Sequence, residues 1–84
     1  MKNDELNVLI GYEMRTQRLI KRMTLEYVAE QMGFSSKNSV SYIELGKKSI
    51  TVEDLIKYCE VVGCSWTEIL GKASEAYYAG IQRR

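Results

Sequence analysis

The chain reads as an all-α domain of five short helices, and three observations lead there. Apolar residues recur every three or four positions in five successive segments. Gly33, Gly46 and Gly63 fall between those segments, where a chain leaving a helix turns through positive φ. No segment keeps up an alternation of apolar and polar residues, so no sheet is expected, and the chain contains no proline.

The first helix is expected from about Asp4 to Lys21, with Leu6, Ile10 and Met14 as one stripe and Val8, Tyr12 and Leu19 leaning to a second face. Thr24 is a fitting N-cap for the second, whose Leu25, Val28, Ala29 and Met32 follow the spacing of one buried face. Ser35 or Ser36 can cap the third, with Val40 and Ile43 inward. Thr51-Val52-Glu53-Asp54 resembles a capping box for the fourth, with Leu55, Ile56, Cys59 and Val62 as its stripe. Ser65-Trp66-Thr67-Glu68 is a full capping box for the fifth, with Trp66, Ile69, Leu70 and Ala73 on the inner face.

With 84 residues, one domain spanning 1–84 is expected, its core at about 6–71. No apolar run reaches the roughly 18 residues of a membrane span. The start Met1-Lys2-Asn3-Asp4-Glu5 lacks the apolar stretch of a signal peptide, so a cytoplasmic location and no membrane partner are expected. Cys59 and Cys64 lack Cys-x-x-Cys spacing, and the chain has no histidine, which argues against zinc. The two cysteines read as small apolar residues kept reduced, and no metal or cofactor is expected. No paired carboxylates, nucleophile elbow or phosphate loop is present, so an enzyme is not expected.

Net charge is only +1, but it is unevenly placed. Residues 15–48 carry seven basic and three acidic side chains, whereas residues 1–14 and 49–84 are both net negative. Positive charge in the middle of the chain suits a nucleic-acid face there.

That middle contains the informative stretch, Thr24 to Leu45: a helix, a glycine turn and a second helix over 36–45. The second helix opens with Ser36, Lys37, Asn38 and Ser39, and Ser41 and Tyr42 extend the polar face past Val40. Asn can pair bidentately with adenine, and Lys can donate to guanine O6 and N7. In a helix-turn-helix the second helix enters the major groove, with its N-terminal residues reaching base edges.

The run Thr24-Leu25-Glu26-Tyr27-Val28-Ala29, Gly33, Ser41, Ile43-Glu44, Gly46-Lys47, Leu55, Val62-Gly63-Cys64 and Ser65 resembles the Cro and phage-repressor (Xre-type) helix-turn-helix family. The likeness covers about residues 10 to 71. It implies a five-helix lambda-repressor-like DNA-binding domain and a sequence-specific transcriptional regulator of the repressor kind. By the resemblance, Ser36, Lys37, Asn38, Ser39, Ser41 and Tyr42 face the DNA, Lys47 and Lys48 touch phosphates, and Thr24 and Leu25 lie at the backbone. Arg18 pairs with Glu44 and fixes where the recognition helix ends. The family usually has Gln where this chain has Leu25, which leaves packing or a thymine methyl for that side chain. The turn from Gly33 to Ser41 is one residue longer than the commonest form, and Gln17 replaces an apolar residue while Leu19 and Ile20 take polar positions.

The partner expected is double-stranded DNA, bound by a homodimer. Residues 72–84, as a C-terminal helix or tail with Trp66, Tyr77, Tyr78 and Ile81, or the Leu19/Ile20 face, would supply the contact. Arg83 and Arg84 are expected as a solvated end. The competing reading is a helical protein-interaction module of the same fold without DNA binding.

Overall fold

The computed structural model describes residues 4–82. Arg83 and Arg84 and the first three residues lie outside the described residues, as does the side chain of Ile81. Five helices follow in order: α1 (Asp4–Ile20), α2 (Leu25–Met32), α3 (Lys37–Glu44), α4 (Val52–Val62) and α5 (Trp66–Gln82). No strand occurs among the described residues.

The caps expected from sequence are in place. The Tyr27 amide donates to Thr24 Oγ1 (3.0 Å), Asp54 to Thr51 Oγ1 (3.0 Å) and Glu68 to Ser65 Oγ (3.3 Å). Ser36, not Ser35, caps α3, accepting from the Asn38 amide at 3.1 Å. Each hydroxyl satisfies a helix-start amide that has no partner within its helix. At the other ends, Gly33, Gly46 and Gly63 all have φ near +80°. The residue after each glycine donates back into the helix: Phe34 to the Ala29 carbonyl, Lys47 to Tyr42 and Cys64 to Cys59. The end of α1 closes the same way with Met23 donating to Arg18, but the left-handed position is Arg22, at φ +59°.

The core is shared by all five helices. Met14 comes from α1, Val28 and Ala29 from α2, Val40 and Ile43 from α3, and Ile69 from α5. The largest share comes from α4, through Leu55, Tyr58, Cys59 and Val62. This corrects the expected α4 stripe, because Ile56 is 38% exposed and Tyr58, only 1% exposed, takes the inner place. The buried positions run i, i+3, i+4, i+7 from Leu55, and Ile56 sits about 100° away on the helix. Trp66 is likewise 45% exposed, not inward, because α5 buries Ile69 and Ala73 and the helix start lies at the rim. On α1, Val8, Tyr12 and Leu19 do share a face, and that face is exposed.

The helix α5 runs unbroken through Gly71 to Gln82, and its main neighbour is α1. The two are antiparallel: Gly80 lies beside Glu5, and the Lys21 ammonium at the far end of α1 donates to the Gly63 carbonyl at 2.9 Å. Both cysteines are free thiols. Burial, with a hydrogen bond to the Cys64 thiol, pushes the Cys59 thiol up to about 12.

Candidate nucleic-acid interface

The eight residues of α3 divide cleanly by side. Val40, Ile43 and Glu44 are buried. Opposite them, Asn38 and Tyr42 are exposed, and Leu45, the C-cap just past the helix, continues their line at i, i+4, i+7. Ser39 and Ser41 flank that stripe and are half-buried. The outward face therefore presents an amide, a phenol and an aliphatic group in line. Leu45, 51% exposed, was not among the residues expected there. The signal was available, since counting i+4 and i+7 from Asn38 reaches Tyr42 and Leu45.

The N-terminal end of α3 is open. Lys37 is exposed, and its ammonium lies 3.3 Å from Glu26 Oε2 on α2, an exposed pair worth little in water. A hydrogen bond to its own backbone amide, and then Lys37, hold the Glu26 carboxyl below its usual range. The Thr24 and Ser36 hydroxyl oxygens accept from backbone amides as caps, and each hydroxyl keeps its own proton to donate. Leu25 is half-buried against the core. Lys47 and Lys48 are exposed in the loop between α3 and α4, beyond the far end of the stripe.

That far end is closed. Arg18 Nε and Nη2 donate to Glu44 Oε2 and Oε1 at 2.8 and 3.0 Å, a bidentate pair. Arg18 is 6% exposed and Glu44 4%. Arg18 Nη1 also donates to the Met23 carbonyl at 2.8 Å, tying in the turn before α2. The hydrogen bond to Glu44 is the main reason the Arg18 guanidinium is held above its already high range. The Tyr58 hydroxyl of α4 donates to Glu44 Oε2 at 2.6 Å and lies 2.9 Å from the Met14 carbonyl of α1. Burial, reinforced by Glu44, holds that phenol far above its usual range, so it remains a donor. Backbones meet here too. A Cβ at Gly11 would collide with the carbonyl oxygens of Ile43 and Glu44, and one at Gly46 would run into Val8. The Asn7 side chain donates to Ser49 Oγ at 3.3 Å and joins α1 to the loop that carries Lys47 and Lys48.

An all-α unit in which a capped helix, a glycine turn and a second helix with an outward polar stripe are locked onto a buried ion pair defines a helix-turn-helix domain. The family model for the helix-turn-helix matches residues 14–69. The chain belongs to that family, of the Cro and Xre type. Among solved structures it is similar to the clp gene regulator ClgR from Corynebacterium glutamicum. One such structure has 30% identity and a TM-score of 0.78, covering 84% of this chain and 91% of that one. A second has 27% identity and a TM-score of 0.82, covering 93% and 82%. No curated protein matches the sequence. The family binds duplex DNA, which makes the outward side of α3 the candidate DNA interface.

Proposed function

We propose that this protein is a sequence-specific transcriptional repressor that inserts α3 into the major groove. The observation that carries the reading is the exposed line of Asn38 and Tyr42 on a helix whose opposite side is fully buried. Such a helix offers hydrogen-bonding groups to base edges without reorganising the core. Lys37, Ser39 and Ser41 border the line, and Ser36 and Thr24 sit at helix starts where phosphate oxygens are favoured. Lys47 and Lys48 supply phosphate contacts from the loop and with them the salt-dependent part of affinity. Repression is the regulatory sense assigned, because a domain seated in the groove excludes other proteins from the same base pairs.

A homodimer fits this reading. Two copies would set two α3 helices about 34 Å apart, one DNA turn. The candidate contact is the outer side of α5. Trp66 and Tyr78 are exposed there, and the half-buried Tyr77 meets Tyr78 edge to face with ring centroids 5.5 Å apart. Ile81 follows on the same helix.

The deciding experiment is selection of bound sites from a random duplex pool, followed by titration at rising salt. The expected result is a defined, two-fold symmetric site whose binding weakens steeply with salt. Absence of any duplex binding at low salt would sink the proposal and leave the protein-interaction reading. On the selected site, Asn38→Ala is expected to cost about 1–3 kcal/mol and to relax preference at one base pair per half-site. Equal weakening on every sequence would instead assign Asn38 to the backbone.

A further inference from the structure

We infer that Tyr58, buried in α4 and remote from the outward face of α3, is a positioning residue for base reading, acting through Glu44. The inference rests on the DNA-binding reading above.

The geometry makes the case. Glu44 is the last residue of α3, and α3 is eight residues long. The bidentate contact from Arg18 ties both oxygens of the carboxylate to α1 alone. Tyr58 approaches the same carboxylate from a different helix and donates at 2.6 Å. The Met14 carbonyl of α1, 2.9 Å from the same hydroxyl, is a second acceptor for its single proton. Two supports, from α1 and α4, thus meet on one terminal side chain, and the second ties it to a helix that the first does not reach.

The lever arm gives the consequence. Asn38 is six residues from Glu44, about 9 Å along the axis. A tilt of about 10° at the anchored end would move it by roughly 1.5 Å, wider than the hydrogen-bond window of about 0.5 Å between nitrogen and oxygen. Phosphate contacts from flexible lysines tolerate such a shift, and paired contacts to a base edge do not. Loss of the hydroxyl should therefore reduce discrimination more than it reduces overall affinity.

The test uses the full chain with Tyr58→Phe, which keeps the ring and removes one oxygen. Affinity is measured at about 10 °C, where the folded form is favoured, for the selected duplex and for a random-sequence duplex of the same length. Ile69→Val in α5 serves as the control, since it costs core stability and keeps every hydrogen bond to Glu44, and both melting temperatures are recorded. The ratio of specific to random affinity is expected to fall about threefold to tenfold in Tyr58→Phe, with random-duplex binding within about twofold of wild type. The ratio is expected to be unchanged in Ile69→Val. A wild-type ratio in Tyr58→Phe, with wild-type discrimination intact, would overturn the positioning role alone. So would an equal fall in both variants, which would trace the loss to stability. A wild type with no preference for any duplex would overturn the DNA reading itself, and this inference with it.

Discussion

At its N-terminal end α3 is held by one serine cap and faces water, while at its C-terminal end it is held by a bidentate ion pair, a phenol and close backbone contact with α1. The same short helix is open where it would exchange contacts and rigid where it is aimed. The open end carries Lys37 in a solvated pair that a phosphate could replace at little cost. The closed end carries charges that are affordable only because each finds its partner, since burying an unpaired carboxylate is far costlier than pairing it.

Removing one partner at the closed end is the largest expected effect. Arg18→Ala leaves Glu44 buried without its guanidinium and should cost about 3–5 kcal/mol, much of a small domain's stability. Urea denaturation measures it, and a loss under about 1 kcal/mol would mean the carboxylate escapes to water. Gly11→Ala comes next. Its methyl group meets backbone carbonyls of Ile43 and Glu44, atoms that cannot swing aside. A cost of about 1–3 kcal/mol is expected, with melting lowered by about 4–8 °C for each kcal/mol. An unchanged melting temperature would show that α1 and α3 separate freely.

The third effect is of pH. Burial raises the Cys59 thiol from its ordinary 9.0 to about 12, and Tyr58 is raised as well. In both, the folded state disfavours the ionised form more than the unfolded state does. Their stabilising contribution is therefore complete below the unfolded values and is lost as pH climbs from about 9 toward 12. Melting temperature should fall steadily over that range, and the slope should be shallower in Cys59→Ala. Identical slopes would remove Cys59 from the account. The smallest effect belongs to the open end. Glu26→Gln frees Lys37 and removes a negative charge beside the candidate interface. DNA affinity should tighten by roughly twofold to fivefold at low salt, and the gain should fade as salt is raised. Weaker binding would show that Glu26 orients Lys37 productively.

Much of this contrast was legible in the sequence. The four hydroxyl caps and three glycine stops are local devices, and local chemistry marks them. Arg18 with Glu44 followed from the family resemblance, not from spacing, because 26 residues separate the partners. Tyr58 was missed because an amphipathic phenol fits either side of a helix. Acceptors on α3 and α1 make its inward placement favourable, and tertiary packing sets both. Ile56 and Trp66 misled for the converse reason: a large apolar side chain at the rim of a small domain has too little neighbouring structure to cover it. The end of α1 carried no glycine to mark it, and Arg22 adopts the left-handed conformation there at a local cost of roughly 1 kcal/mol.

The pairing of α1 with α5 also sets an order of assembly. α1 packs chiefly on α5, and Gly80 comes to rest beside Glu5. On the ribosome, α1 emerges before α5 and must wait for the three helices between them before its main neighbour exists. The helix-turn-helix, with its short-range contacts, can form in the meantime, whereas the loop closed by α1 and α5 is the longest in the fold and the slowest to nucleate. A nascent chain halted before α5 would thus present the recognition helix on an unfinished scaffold.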